Sequence, residues 1–167
     1  MKPLLTLLLL FPIICKAELF SIDPAGIVLE IPSGWVPLHK DTFPGAPDNM
    51  CFPRFDHKEK RGRIDAVIWK NEASLDDALD KYILRMAKQN SDSLTHEKIS
   101  REPFNANSGV EGIKYIFKTT RTTACGPNSW KLVRYIFRNS QGEIVCLGGF
   151  GDVEEVDQIV ISSLKIK

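Results

Sequence analysis

The sequence lacks any excess of charge of one sign. Its 167 residues include 22 lysines and arginines against 21 aspartates and glutamates. This balance gives no electrostatic basis for binding nucleic acid or an anionic membrane. One stretch does mix aromatic and basic residues as single-strand nucleic-acid binders do: Trp130, Lys131, Arg134, Tyr135, Phe137 and Arg138. The alternation of a half-buried strand explains that stretch more simply, so we expect no nucleic-acid partner.

Residues that commonly carry catalysis or bind metals are also scarce. The chain has three histidines, His39, His57 and His96, all in polar stretches. None has a second histidine four residues away or a cysteine at zinc-finger spacing. Asp56, His57 and Glu59 could hold a metal weakly at a loop, but a solvated turn is the better interpretation. We therefore predict no catalytic residue, no metal site and no enzymatic activity.

A glycine-rich segment, GGFG at 148–151, lies between a predicted strand and a predicted helix. Phosphate-binding loops occur at such junctions. Here Glu154 stands where the dinucleotide-binding pattern needs its third glycine, and neighbouring acidic residues would repel a phosphate. The segment is better explained as a strand end followed by a helix start, and we predict no cofactor.

Long apolar runs are absent except at the amino terminus, where residues 4–15 form a run of 12. A helix of that length spans roughly 18 Å, short of the ~30 Å hydrocarbon core. Together with Lys2 and with Ala17 before Glu18, the run predicts a secretory signal peptide at 1–17. An uncleaved anchor, a lipoprotein modified at Cys15 and a buried helix are the weaker alternatives. We expect a periplasmic or secreted protein with no membrane span after signal removal.

Cysteine is sparse beyond the predicted signal, with Cys51, Cys125 and Cys146 remaining. An oxidising compartment permits one disulfide and leaves one thiol, in any of three pairings. Cys51 and Cys125 lie in Pro-, Gly- and Asn-rich stretches typical of surface loops, whereas Cys146 lies in an apolar strand. We predict a Cys51–Cys125 disulfide, worth on the order of 4 kcal/mol for a loop of about 75 residues.

The remaining pattern alternates strands with two helices. A hairpin is predicted at 19–31, a strand at 63–70, and three further strands at 112–118, 129–138 and 143–150. An apolar stripe predicts a helix over 74–90, and a second helix begins near Asp152. A long loop covers 37–53. This order indicates an α+β fold with a mostly antiparallel sheet covered by helices, in a single domain at 18–167.

Five basic residues fall within ten positions of the chain: Arg54, Lys58, Lys60, Arg61 and Arg63. With Asp56 and Glu59 between them, they first indicate an exposed hairpin tip. They are also the candidate docking patch for an acidic partner.

Several segments of the chain together form one family pattern: IVLEIPSGW, ASLDDALDKYILRM, VEGIKYIFK, LVRYIFRNSQGEIVCL and ISSLKI. They resemble the PsbP-like fold family, which includes a photosystem II extrinsic subunit, a nuclear import accessory factor and bacterial envelope proteins of the DcrB type. The resemblance implies a three-layer α/β/α sandwich and a non-enzymatic accessory role, often after export. It supplies no catalytic residues. Trp35, in the Pro-Ser-Gly-Trp motif, is expected to close the end of a core.

The leading hypothesis is an exported accessory protein of the envelope or periplasm that docks another protein or a small ligand. A face of the sheet or the 37–53 loop would provide the binding surface. An envelope hydrolase or inhibitor-like protein with an unrecognised site is the alternative, and a purely structural role is a third.

Overall fold

The computed structural model describes residues 16–43, 45–46, 48–70, 74–89 and 94–167, with the backbone alone for 85–89. Residues 1–15, which hold most of the predicted signal peptide, lie outside this range. Within it the strands are β1 (Glu18–Ile22), β2 (Ile27–Ile31), β3 (Trp35–Leu38), β4 (Met50–His57), β5 (Arg63–Trp69), β6 (Leu94–Asn105), β7 (Glu111–Thr123), β8 (Gly126–Arg138), β9 (Ile144–Phe150) and β10 (Lys165–Ile166). The helices are α1 (Leu75–Gln89) and α2 (Val153–Ser163).

Seven strands form one sheet in the order β3-β4-β5-β9-β8-β7-β6, and β1, β2 and β10 form a second, three-stranded sheet. Every pairing between these strands is antiparallel. The α+β class with a mostly antiparallel sheet, predicted from the sequence, is confirmed.

The large sheet separates two cores because side chains along each strand alternate between its faces. On β8, Tyr135 and Phe137 pack in the core that includes α2 and the small sheet. Leu132 and Ile136, on the same strand, pack in the core that includes α1. One helix therefore covers each face, which is the three-layer arrangement that the resemblance implied.

Both helices begin where the sequence predicted. The Ser74 hydroxyl accepts a hydrogen bond from the Asp77 amide at 3.0 Å, and α1 follows directly. The Asp152 carboxylate accepts from the amides of Glu154 and Glu155 at the start of α2. These caps satisfy amides that have no partner within the helix, which fixes both starting points.

Four strands, β3, β4, β6 and β10, occupy positions that the sequence did not predict as strands. β4 takes up the last part of the predicted 37–53 loop, and β6 was not predicted at all. β6 is an edge strand whose side chains are mostly exposed, and its register shifts between Lys98 and Ser100. An exposed, bulged edge has little apolar alternation to recognise, and the bulge also protects it from pairing with other chains.

The predicted Cys51–Cys125 disulfide is not formed in this structure, where all three described cysteines are free. Cys51 is fully buried in β4 rather than in a loop, and Cys125 is exposed at the β7–β8 turn. Through Ala66 and Leu147, Cys51 lies level with Tyr135 of β8. Ten positions of strand then separate that level from Cys125, roughly 30 Å at 3.3 Å per residue. A disulfide needs its Cα atoms within about 7 Å.

The thiols of Cys51 and Cys146 are buried on opposite faces of the large sheet. Cys51 packs in the α2 core and Cys146 in the α1 core. Burial raises the pKa of each thiol to about 12. Both are therefore protonated, unreactive core residues at neutral pH, as the sequence predicted for Cys146.

Candidate functional site

A cleft of about 620 Å³ opens on the α1 face of the large sheet. Leu132 and Phe150 form the last pair between β8 and β9. Beyond this pair, β7 and β8 extend past the end of β9 to their turn, and this extension is called the ribbon. The turn between β4 and β5 lies beside this ribbon, where the Arg61 guanidinium carbon is 5.2 Å from the centre of the Trp130 ring. The cleft lies between the ribbon, this turn and α1.

A buried ion pair forms the base of the cleft. Arg134 of β8 reaches Asp65 of β5 with an N–O distance of 2.6 Å, and both side chains are largely buried. The register places Gly148 of β9 between them. Because Gly148 has no side chain, the arginine can cross β9 to reach the carboxylate. Burial alone would lower the pKa of Arg134, but Asp65 raises it above its usual range, so the guanidinium stays charged.

His96 and Thr119 form one wall of the cleft. They are neighbours across β6 and β7, and the His96 Nδ1 lies 2.9 Å from the Thr119 hydroxyl. The other ring nitrogen, Nε2, is buried and has no hydrogen-bond partner in the described part of the chain. Burial and then the Arg134 charge lower the pKa of His96, so the ring is neutral at pH 7.

This lowered pKa predicts that the protein loses stability in mild acid. The unfolded ring binds a proton near pH 6.5, whereas the folded ring binds one only at lower pH. The stability that His96 contributes is therefore complete above pH 6.5 and is lost as the pH falls below it. In urea unfolding at pH 7.5, 6.0 and 5.0, His96→Gln should show a shallower decline than the wild type. His39→Gln, at an exposed position, should keep the wild-type slope. Equal slopes for both variants would contradict this assignment.

The predicted docking patch divides into exposed and buried members. Lys58, Lys60 and Arg61 are exposed on the β4–β5 turn. Arg63 is partly exposed, 3.0 Å from Asp56 and over the Phe150 ring at 5.5 Å.

Arg54 does not belong to the exposed docking patch that the sequence predicted. Its exposed fraction is 8 %, and its guanidinium carbon lies 3.3 Å from the centre of the Phe43 ring. A charge run in the sequence does not distinguish strand positions that are covered from those that face solvent. Arg54 lies within β4, where the loop residue Phe43 covers it, so it cannot serve as an exposed docking residue.

The turn that carries the patch is held by His57. This histidine was expected in a solvated turn, but its side chain is only 9 % exposed. Its Nδ1 accepts hydrogen bonds from the amides of Glu59 and Lys60 at 3.1 and 3.0 Å. His57 is buried because Trp35 packs edge-on against it, with the centres of the two rings 5.1 Å apart.

Trp35 itself closes the end of the α2 core, as predicted from its motif. It is 5 % exposed and donates its indole N–H to Glu155 at 3.1 Å. Glu155 also lies 3.6 Å from the Lys60 ammonium, so this part of the basic patch is already paired. Arg61 and Arg121 then remain as the cleft cations without a carboxylate partner among the residues described.

Sequence reasoning missed most of this site. Arg121 and His96 received no role in a common site, and Trp130 and Arg134 were noted only within a mixed aromatic and basic stretch. The structure confirms that strand alternation explains that stretch, since Tyr135 and Phe137 face the α2 core while Trp130 and Arg134 line the cleft. Besides the basic patch, which marks one side of the cleft, that alternation was the available signal, because it places Trp130, Leu132 and Arg134 on one face.

Over the ranges that the structure covers, no cluster of three histidine, cysteine or acidic side chains could hold a metal ion. Over the same ranges, neither helix is long and apolar enough to cross a membrane.

Comparisons with known proteins find similarity in structure but not in sequence. No family profile matches the chain, and no curated protein sequence matches it. The solution structure of cyanobacterial PsbP (CyanoP) from Synechocystis sp. PCC 6803 superposes with a TM-score of 0.64. The two chains are 13 % identical, and the match covers 92 % of this chain and 94 % of that one. The protein therefore has the PsbP-like fold.

Proposed function

We propose that the protein is a non-enzymatic accessory protein of the cell envelope or periplasm, which binds an acidic partner or ligand in the cleft on the α1 face. The observation that carries this proposal is the cleft itself, with two rim arginines, Arg61 and Arg121, that have no carboxylate partner in the described part of the chain. The PsbP-like fold supports it, since it is consistent with an accessory role.

The charges that line the cleft favour an acidic occupant. Of the described residues that line the cleft, five are lysines or arginines and two are aspartates. Both acids, Asp56 and Asp65, are already bound by arginines. A concave surface with an excess of positive charge attracts anions and raises their concentration near the rim.

The contacts of the polar groups also favour binding over catalysis. Asp56 and Asp65 serve as partners for Arg63 and Arg134 rather than standing free as an acid and a base. No cysteine lines the cleft among the described residues, since Cys51 and Cys146 are packed in the two cores. A hydrolase would need an accessible nucleophile or a free carboxylate pair at such a position, whereas Thr119, which lies beside His96, is only 1 % exposed.

Export rests on the amino-terminal pattern alone. The basic start, the short apolar run and Ala17 support a signal peptide at 1–17. The mature protein would then begin near Glu18, and it would meet its partner outside the cytoplasm.

Native mass spectrometry of the protein recovered from its own host tests this proposal. We expect an additional bound mass that is lost on denaturation, and a chain mass that lacks about residues 1–17. Arg121→Glu should reduce the bound fraction several-fold, because it reverses a rim charge. Lys118→Glu is the matched control, since Lys118 is exposed on the same strand but on the opposite face.

Three results would overturn the proposal. A wild-type protein that carries no bound mass would remove the binding function. An equal loss of bound mass in both charge reversals would place the binding elsewhere than in the cleft. A chain that retains residues 1–17 in the cytoplasm would remove the export assignment.

A further inference from the structure

Between its basic rim and the Arg134–Asp65 pair at its base, the cleft has apolar and aromatic walls. Trp130 and Phe150 are each partly exposed there. Leu132, Val67 and Leu94 line the same space. A site with apolar walls and a cationic rim matches a molecule that is apolar at one end and negatively charged at the other.

The size of the cleft favours a small molecule. Its volume of about 620 Å³ lies within the range of roughly 300–1,000 Å³ that is typical of small-molecule sites. Protein partners more often meet broad surfaces of about 800 Å² on each side. A compact concave site on the α1 face is better suited to one organic ligand than to a docked domain.

Two of the lining rings already carry planar cations. The Arg61 guanidinium is 5.2 Å from the centre of the Trp130 ring, and the Arg63 guanidinium is 5.5 Å from that of Phe150. Flat groups stack favourably on such rings. Of the two, Arg63 is held by Asp56, while Arg61 has no carboxylate partner in the described residues and can turn toward an anion.

Arg121 supplies a second cation at the same end. On β7 it lies two positions after Thr119, and Thr119 is the direct neighbour of Trp130 across the two strands. Residues two apart on a strand share a face, so Arg121 is on the Trp130 side of the ribbon. A ring that rests on Trp130 would thus have a guanidinium from each side of the cleft near its charged group.

We propose, building on the binding function above, that the cleft takes a small planar aromatic anion: a ring system that bears a carboxylate, sulfonate or phosphate group. Arg61 turns away from Trp130, the ligand ring takes its place against Trp130 beside Phe150, and the charged group lies between Arg61 and Arg121. Arg134 is neutralised by Asp65 and shapes the base of the cleft without binding the anion.

Calorimetric titration of the protein purified from its host, after removal of any bound ligand by dialysis, tests this with four probes. 2-Naphthoate carries both ring and charge, 2-naphthalenemethanol carries the ring alone, and acetate and inorganic phosphate carry charge alone. We expect saturable one-to-one binding of 2-naphthoate, with the other three at least about tenfold weaker, because each lacks one of the two contacts.

Matched variants locate the binding. Trp130→Leu and Arg121→Gln should each weaken 2-naphthoate binding by about tenfold. Lys131→Gln and Lys118→Gln, exposed neighbours on the opposite face of the same strands, should leave it within about twofold of wild type. Circular dichroism spectra that match the wild type would show that Trp130→Leu is folded. If Trp130→Leu does not fold, the difference in 2-naphthoate affinity between Arg121→Gln and Lys118→Gln shows whether the binding takes place in the cleft.

Each remaining outcome overturns the inference, and the outcomes separate it from the proposed function. If acetate or phosphate binds as tightly as 2-naphthoate, the site selects charge alone, and the anion-binding function stands. If 2-naphthalenemethanol binds equally well, the rim arginines are not used. If no probe binds but host-purified protein carries a mass that Arg121→Glu removes, only the aromatic-anion assignment fails. If that mass is also absent, both fail.

Discussion

Gly149→Ala is expected to destabilise the fold severely. A Cβ atom at this position would lie 1.6 Å from the Arg63 carbonyl oxygen, which belongs to the neighbouring strand. β9 is a central strand between β5 and β8, so it can move away from β5 only by disrupting its pairing with β8. Since overpacking by side chains alone costs about 1–3 kcal/mol, a clash with backbone should exceed 3 kcal/mol.

Urea unfolding monitored by circular dichroism and tryptophan fluorescence measures this effect. Gly142→Ala is the control, because it has open space around it but a φ of +77°. It should cost only about 1–2 kcal/mol, the price of a left-handed backbone for alanine. A Gly149→Ala protein as stable as Gly142→Ala would show that β5 and β9 are not packed this closely.

The second large effect is expected at the base of the cleft. Asp65→Asn leaves the Arg134 guanidinium buried, with an exposed fraction of 3 %, and without its counter-charge. Removal of one partner from a buried ion pair typically costs about 3–5 kcal/mol. The double variant Asp65→Asn/Arg134→Met should be more stable than Asp65→Asn, because it leaves no unpaired buried charge.

The matched control is the partly exposed ion pair beside it. Arg63 and Asp56 are 3.0 Å apart, but their side chains are 33 % and 35 % exposed. Arg63→Gln should therefore cost no more than about 1 kcal/mol, because Asp56 keeps Arg54 as its partner at 3.6 Å. Equal losses for Asp65→Asn and Arg63→Gln in urea unfolding would contradict the burial assigned to the Arg134–Asp65 pair.

The fold was largely predictable because its strongest signals are local. The apolar stripe of α1 predicted the burial of Ala78, Leu79 and Tyr82, and all three are buried in the α1 core. The capping residues Ser74 and Asp152 predicted both helix starts. Alternation along β8 and β9 predicted the hairpin that forms the centre of the large sheet.

Prediction failed where the environment of a residue depends on distant parts of the chain. Cys51 follows a Pro- and Asn-rich stretch that resembles a loop, yet its pairing with Ala66 places it in a buried strand. Arg54 belongs to an evident charge run, yet Phe43 covers it. Neither contact leaves a periodic pattern in the sequence.

The cleft could not be predicted from the sequence for the same reason, because its residues come from distant parts of the chain. His96, Thr119 and Trp130 come from three different strands and become neighbours only through the register of β6, β7 and β8. Arg61 joins them because the β4–β5 turn lies beside this ribbon, a contact between elements far apart in sequence. The basic patch was a partial signal, since it identified one side of the cleft without the other.

A molecule bound in the cleft on the α1 face should protect the backbone amides around it from hydrogen exchange. Amide hydrogen exchange of host-purified protein is therefore compared with that of the same protein after denaturation and refolding without its bound molecule. We expect slower exchange in the host-purified sample at residues 58–63 and 119–130, with unchanged exchange in α2. Slower exchange confined to α2 and the small sheet would show that the molecule binds elsewhere.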